Sequence, residues 1–262
     1  MFFLGKTNLL RKKFFVLPGF SLLEIAIVLC IMGLMSGFGL SALTAYFKQQ
    51  KIIKTEQHLH QITQALASYV LNHKRLPCAA DPRADLHTAG ISDAHRSIGC
   101  VPYKTLGLPE HVAKDGYHHW ITYTVLPELT YSGLRHLMTP TSDEVAETVF
   151  CEVKNSFAPI QILNQDGLSV IDTTHQNDFI AFVLISHGSE GQGSFDNNGN
   201  RRPTHHPDKA INAAEDFLFV DRPLPENPDR GDTIRWVTRD NLMAYHAQKP
   251  CQRREEESPF VN

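Results

Sequence analysis

A long uncharged apolar segment near the N-terminus constrains the fold of this chain more than any other feature. From Ile25 to Phe47 the sequence contains no Asp, Glu, Lys or Arg. As an α-helix this segment would be about 35 Å long, and the hydrocarbon core of a bilayer is about 30 Å thick. The sequence therefore predicts that residues 20–47 form the transmembrane half of an N-terminal helix.

The residues before this segment are basic. Residues 1–19 contain no acidic side chain but hold Lys6, Arg11, Lys12 and Lys13. Lysine and arginine mark the cytoplasmic flank of a membrane helix, so we expect the N-terminus to be cytoplasmic. The remainder of the 262-residue chain has more acidic than basic residues. It therefore offers no broad basic surface, and we predict no nucleic-acid partner.

Between the basic residues and the apolar segment lies the hexapeptide GFSLLE, Gly19 to Glu24. It resembles the GF(S/T)LxE signature of type IV prepilins and of the pseudopilins of type II secretion systems. The resemblance implies that a prepilin peptidase cuts between Gly19 and Phe20 and removes a basic leader, residues 1–19. It also implies methylation of the new N-terminus, which makes residue 20 an N-methylphenylalanine.

Glu24 is the one carboxylate at the start of the apolar region. A charged carboxylate inside a bilayer costs about 2.5–3.5 kcal/mol on insertion scales, so it normally has a partner. The resemblance implies that Glu24 pairs with the N-terminal ammonium of an adjacent subunit and directs assembly. In the alternative interpretation, Glu24 lies at the membrane interface, where the helix dipole favours a negative charge.

The pattern after Phe47 is typical of an amphipathic helix. Apolar residues recur at intervals of three and four, namely Ile52, Leu59, Ile62, Leu66, Tyr69 and Val70. We expect the same helix to continue over residues 48–75, to end near His73 before Pro77, and to lay one apolar stripe on a globular domain, residues 76–262.

Branched and aromatic residues bounded by turn formers predict the strands of this domain. The candidates are residues 119–126, 159–163, 179–186, 217–222 and a strand that ends at Val237, followed by a short helix capped by Thr238. The segment CVPYKTLGLPEHVAKDG also resembles pilin-like chains, in which Asp115 and Gly116 would form a turn before the first strand. The predicted class is α+β, pilin-like, with an antiparallel sheet packed on the long helix.

Four cysteines lie outside the apolar segment, namely Cys78, Cys100, Cys151 and Cys251. An even number beyond a membrane helix predicts two disulfides in an oxidising compartment. Three pairings are open, of which we favour Cys78 with Cys100 and Cys151 with Cys251. The alternative is a set of buried free thiols.

The segment from Gly188 to Asn200 is the best candidate for a metal site. Asp196, Asn198 and Asn200 alternate as oxygen donors, as in half of an EF-hand, but Pro207 stands where the bidentate glutamate would be. A structural calcium ion is therefore one hypothesis, and a plain solvated loop of turn residues is the favoured one.

Histidine pairs suggest zinc only weakly, because adjacent residues of a strand point to opposite faces. The pairs are His118 with His119 and His205 with His206; surface histidine is the favoured interpretation.

Catalytic motifs are absent from the sequence. Ser186, His187 and Ser189 are close neighbours, but no GxSxG elbow, HExxH motif or phosphate-binding loop is present. We therefore predict that the chain is not an enzyme and needs no cofactor apart from the hypothetical calcium ion. A membrane-tethered hydrolase is kept as a third hypothesis.

The resemblance implies a structural function, that of a minor pilin or pseudopilin-like subunit of a type IV pilus or a type II secretion pseudopilus. Its partners would be the prepilin peptidase, other pilin or pseudopilin subunits and an inner-membrane assembly platform. We expect a single-pass inner-membrane protein with a periplasmic C-terminal domain, extracellular when it is part of a filament. The alternative function is a membrane-anchored periplasmic binding module or a filament-tip adaptor or adhesin.

Overall fold

The computed structural model describes residues 19–130, 160–171, 179–222 and 229–245, without the side chains of residues 35–41. The chain divides into two compact units, Met1–Phe47 and Lys48–Asn262. The predicted leader, Cys151 and Cys251 lie outside the described residues, apart from Gly19 at the end of the leader.

The first element is the helix α1, Leu22–His73. It ends where the sequence predicted. Lys74 adopts a left-handed conformation with φ 53°, and its N–H donates to the carbonyl oxygen of Val70 over 2.7 Å. A left-handed residue after the last helical one satisfies an orphan carbonyl of the final turn. Pro77 follows and cannot continue the helix.

The transmembrane prediction for residues 20–47 is wrong. A membrane-spanning helix needs about 20 consecutive, predominantly apolar residues. Within the part of the chain that the structure describes, no helix combines the length and the apolar character needed to cross a bilayer. The predicted single-pass inner-membrane location, with its cytoplasmic N-terminus and periplasmic domain, loses its support for the same reason.

The C-terminal unit is α+β, as predicted, and contains a four-stranded antiparallel sheet. Its strands follow the order β1, β2, β4, β6 and are Ile98–Cys100, Thr122–Val125, Ile180–Ser186 and Thr233–Thr238. Two short strands, β3 (Gln161–Leu163) and β5 (Leu218–Val220), form a separate parallel pair. Further elements among the described residues are 3-10 turns at Glu110–Ala113 and Pro127–Leu129 and the helices α2 (Pro207–Ala213) and α3 (Arg239–Ala244).

The five predicted strands are confirmed, each within a few residues of its predicted bounds. The cap at Thr238 is also confirmed, because its hydroxyl oxygen accepts a hydrogen bond from the N–H of Asn241 over 3.2 Å at the start of α3. Strand β1 was not predicted. It is three residues long with a central glycine, so it lacks the run of branched residues by which strands are recognised.

The amphipathic part of α1 packs its apolar stripe into the main core. Leu59, Ile62 and Leu66 are fully buried and belong to one cluster with Tyr123 of β2 and Phe182 of β4. All seven residues of β4 are buried, because this strand is central in the sheet. The sequence prediction of a stripe laid on the globular domain is confirmed.

The turn before β2 lies directly against the backbone of α1. The N–H of Gly116 donates to Thr55 Oγ1 over 3.0 Å, and the Thr55 hydroxyl donates to the carbonyl oxygen of Lys51 over 3.0 Å. A Cβ atom at position 116 would lie 2.0 Å from that carbonyl oxygen. Position 116 therefore requires glycine, because the backbone of the turn and the backbone of α1 lie too close together for a side chain.

The predicted disulfide between Cys78 and Cys100 is wrong, because both thiols are free and buried. Ala80 and Cys100 exchange backbone hydrogen bonds of 2.9 and 3.0 Å, so Cys78 lies two positions from the residue opposite Cys100. Such diagonal neighbours are about 7–8 Å apart, whereas a disulfide joins Cα atoms about 4.4–6.8 Å apart. Burial raises the pKa of Cys78, and it raises that of Cys100 to about 12.

Candidate functional site

The predicted processing bond lies in an exposed segment directly before α1. Gly19 and Phe20 belong to neither helix nor strand, and Phe20 is 76% exposed. A Cβ atom added at Gly19 would meet no atom within 4 Å. The bond between Gly19 and Phe20 is thus sterically open on the described chain, and the chain itself has room for a larger residue at position 19.

Ser21 determines where α1 begins. Its hydroxyl oxygen accepts a hydrogen bond from the N–H of Glu24 over 3.1 Å, and its carbonyl oxygen accepts the first helical bond, from the N–H of Ile25, over 3.2 Å. These are the two bonds that define an N-cap. The sequence signal was the S-x-x-E spacing of a capping box, which our sequence reasoning missed.

Glu24 lies in the first turn of α1 and is exposed. A negative charge is favourable there because the first turn carries the positive end of the helix dipole. The position of Glu24 therefore agrees with the interpretation in which the helix dipole stabilises its negative charge. Pairing of this carboxylate with the N-terminus of a neighbouring subunit is not tested and stays a prediction.

The start of α1 exposes an apolar surface. Leu22 is 89% and Leu23 is 71% exposed, and further large apolar side chains around the helix are also exposed, namely Ile25, Ile27, Val28, Leu29, Ile31, Met32, Leu34, Leu43, Tyr46 and Phe47. A helix that is apolar on all sides is normally buried in its working state. Extended exposed apolar patches mark interaction sites.

A second cluster of functional side chains lies in the C-terminal unit, around Asp115. One oxygen of its carboxylate accepts the N–H groups of Tyr117 and His119, each over 2.9 Å. The other oxygen accepts the hydroxyl of Ser186 over 2.8 Å. The predicted turn at Asp115 and Gly116 is present, since the N–H of His118 donates to the Asp115 carbonyl oxygen over 3.0 Å.

His187 lies beside this cluster and is fully buried. Its Nε2 atom is 2.9 Å from Thr122 Oγ1, and its Nδ1 atom is 3.7 Å from a carboxylate oxygen of Asp232. The other carboxylate oxygen accepts the Lys209 ammonium over 3.0 Å, and Asn212 Nδ2 donates to the first one over 3.0 Å. These groups join β2, the residue just after β4, helix α2 and the residue just before β6.

The electrostatics of this cluster favour an ionised Asp232. Burial alone raises the pKa of its carboxyl, but the nearby His187, Lys209 and Asn212 outweigh burial, so the pKa lies below its ordinary value. Burial also lowers the pKa of His119, although Asp115 and the Gly188 carbonyl oppose that effect. His119 Nδ1 lies 3.0 Å from the Gly188 oxygen, a distance suited to donation by a neutral ring.

The structure does not bring Ser186 and His187 together as a nucleophile and its base. Ser186 donates to Asp115, whereas His187 faces Thr122 and Asp232. Ser189 uses its backbone N–H to donate to the Asp229 carbonyl oxygen over 2.7 Å. A nucleophile and base must be within hydrogen-bond reach of each other, so the hydrolase hypothesis finds no geometric support at these residues.

The hypothetical calcium loop is folded as a turn around one carboxylate. Asp196 Oδ1 accepts the N–H groups of Asn198 and Asn200, each over 2.8 Å. This is the Asx-turn geometry that the favoured interpretation implies. Among the described residues, no group of three or more His, Cys, Asp or Glu side chains is placed to hold a metal ion. Calcium binding itself is not tested by this geometry.

The histidine pairs do not converge in the described structure. His118 has a left-handed backbone, with φ 68°, while His119 points to Gly188. His206 caps α2 through its ring, which accepts the N–H of Asp208 over 3.3 Å. The N–H of His205 donates to the side chain of Gln192 over 2.9 Å.

An open surface groove lies along β6 and α3. It is lined by Arg235, Trp236, Val237, Asn241, Ala244 and Tyr245. Arg235 forms an ion pair with Glu56 of α1 over 2.5 Å, which fixes one wall. Aromatic side chains beside a charged one are typical of recognition surfaces, although no sequence pattern pointed to this groove.

Comparison with known proteins adds no relative from which a function could be transferred. No protein-family model, no curated protein and no solved structure matches this chain.

Proposed function

We propose that this chain is a pilin-like or pseudopilin-like filament subunit. A prepilin peptidase removes residues 1–19 and methylates Phe20, and the released helix α1 then packs against the same helix of other subunits. The filament is a type IV pilus or a type II secretion pseudopilus, in which this chain is a minor component.

The observation that carries the proposal is the exposed apolar start of α1 directly behind an accessible Gly19–Phe20 bond. The apolar side chains from Leu22 to Leu34 are exposed. Burial of apolar surface contributes about 25 cal/mol per Å², so side-by-side packing of such helices is strongly favourable. Removal of residues 1–19 would leave this helix at the very N-terminus of the mature subunit.

Glu24 gives this assembly a register. It is the one acidic residue in the first turn of α1, and no Asp, Glu, Lys or Arg follows it up to Phe47. When the apolar surfaces of two helices meet, a carboxylate must find a cation or remain desolvated at a large cost. The ammonium of a processed Phe20 on a neighbouring subunit is the cation that the proposal supplies.

The test is the N-terminus of the protein produced with and without an active prepilin peptidase. We expect mass spectrometry to find N-methylated Phe20 as the first residue only when the peptidase is present. Gly19→Leu should keep residues 1–19, because a small residue is needed by the peptidase.

Gly33→Leu is the matched control for this test. A Cβ atom at Gly19 or at Gly33 meets no atom within 4 Å, so neither substitution creates a clash in the subunit itself. We expect the Gly33→Leu chain to be cut like the wild type. A wild-type chain that keeps residues 1–19 beside an active peptidase would refute the proposal.

A filament-tip adaptor is the second candidate function, and the groove along β6 and α3 is the observation that favours it. Trp236 and Tyr245 both line that groove, as expected for a surface that recognises a ligand. Subunit counting separates the two candidates. A few copies at one filament end would support the adaptor, whereas copies spread along the filament would support the structural subunit.

A further inference from the structure

We propose that Ser21 is a positioning residue that holds the Gly19–Phe20 peptide bond outside helix α1, in the open form that a peptidase cuts. The inference rests on the proposed function, because it assigns a role within the same processing reaction. It concerns the conformation of the substrate and not the chemistry of the peptidase.

The first step of the argument is the position of the cap. The Ser21 hydroxyl accepts the N–H of Glu24 over 3.1 Å, and α1 begins at Leu22. The N-cap residue itself has a non-helical backbone. The cap therefore places both Gly19 and Phe20 before the helix, where the structure shows no regular element.

The second step is that the sequence offers a competing helix start upstream. Pro18 directly precedes Gly19, and proline is favoured at the first position of a helix. A helix that began there would include Gly19 and Phe20. Ser21 opposes this extension because its side chain satisfies an orphan N–H of a helix that starts at Leu22.

The third step concerns access. In a helix that began at Pro18, the Gly19–Phe20 peptide group would be held in helical geometry and the Gly19 carbonyl oxygen would accept an intrahelical hydrogen bond, so cleavage would have to wait for local opening. A bond in an open segment needs no such opening. The apparent affinity of the peptidase for the chain then depends on the fraction of chains in which the Gly19–Phe20 bond is accessible. The observed dissociation constant equals the intrinsic dissociation constant divided by that fraction.

The experiment measures cleavage of the purified full chain by a purified prepilin peptidase in detergent micelles. The variants at position 21 are Ser21→Thr, Ser21→Asn, Ser21→Asp, Ser21→Gly, Ser21→Ala and Ser21→Val. The first four residue types cap helices well, whereas alanine and valine cap poorly. Leu22→Ala is the control for a change next to the bond, since Leu22 is 89% exposed and makes no cap.

We expect KM to follow capping ability. The alanine and valine variants should show a KM raised about two- to fivefold with kcat unchanged, which is the size expected for one lost cap. The four capping variants and Leu22→Ala should match the wild type. We expect the asparagine, aspartate and glycine variants to be cut at the wild-type rate. These residues cap the helix without a hydroxyl group, so their cleavage would show that the peptidase does not need a direct contact to the Ser21 hydroxyl.

Three other results have distinct meanings. If only threonine replaces serine, the peptidase reads the hydroxyl itself and the inference is wrong. If all variants are cut with one KM, the cap has no role and the inference is again wrong. If even the wild type is not cut between Gly19 and Phe20, the proposed function fails, and this inference fails with it.

Discussion

At the scale of single residues, the C-terminal unit buries an ion pair between Lys209 and Asp232. Asp232 accepts hydrogen bonds from Lys209 and Asn212, each over 3.0 Å, and His187 lies at its side. No sequence pattern indicated this cluster, because its members are separated by long stretches of chain and no motif joins them. The sequence singled out Gly19, Phe20 and Glu24, because their motif is formed by neighbours along the chain; their roles in processing and assembly stay a prediction.

Asp232→Asn should destabilise the C-terminal unit at neutral pH by about 3–5 kcal/mol, because it leaves the buried Lys209 without its counter-charge. The measurement is urea unfolding followed by tryptophan fluorescence. Asp208→Asn is the control, since Asp208 pairs with the exposed Arg222 and such surface pairs contribute about 1 kcal/mol or less. Equal losses in the two variants would contradict a special role for Asp232.

The same carboxylate predicts a pH dependence. The pKa of Asp232 is lowered in the folded protein, so as pH falls the unfolded chain takes up the proton first. The stability contributed by Asp232 is therefore fully present above its unfolded pKa of about 3.9 and is lost as pH falls through the lower folded value. The difference in stability between wild type and Asp232→Asn should shrink below about pH 4. A difference that is constant down to pH 2 would contradict this assignment.

At the scale of elements, the apolar pattern predicted most of the fold. The three-and-four spacing of Leu59, Ile62 and Leu66 is realised as a buried stripe, and the branched run of β4 became the central strand. The sequence pattern gave wrong predictions where the structure depends on contacts between residues that are distant in the sequence. The register that joins Ala80 to Cys100 removed the expected disulfide, and the apolar segment over 20–47 was wrongly assigned to a membrane.

Ile62→Ala should destabilise the C-terminal unit by about 2–5 kcal/mol, because it opens a cavity at a fully buried position of the stripe. Ile53→Ala is the matched control on the same helix, since Ile53 is 39% exposed, and we expect a loss below about 1 kcal/mol. Both tryptophans, Trp120 and Trp236, lie in this unit, so fluorescence during urea unfolding reports on it directly. Similar midpoints for the two variants would contradict the packing assignment.

At the scale of the whole molecule, the chain combines a unit with its own buried core and a unit whose described side chains are exposed and mostly apolar. The boundary between the units falls where the apolar run ends at Phe47 and the amphipathic pattern begins, whereas the predicted globular domain began only at residue 76. The sequence does not indicate what covers these exposed side chains. In the filament that we propose, the helices of other subunits cover them.

Glu24→Gln tests the assembly that we propose. The variant should be processed and its C-terminal unit should fold normally, but filament yield should fall at least tenfold, because the neighbouring ammonium loses its partner. Glu215→Gln, at an exposed site of the C-terminal unit, is the control. Electron microscopy and sedimentation of sheared filaments provide the measurement, and an unchanged yield would contradict the pairing role.

The contact between Gly116 and the carbonyl of Lys51 has a consequence for how the C-terminal unit holds its helix. Two main chains meet there without an intervening side chain. The position of the helix along its own axis, relative to the turn, therefore does not depend on the size of a side chain at this point. A pull along the helix would have to break the hydrogen bond to Thr55 and slide one main chain past the other. The turn at Gly116 thus resists sliding of the helix along its axis.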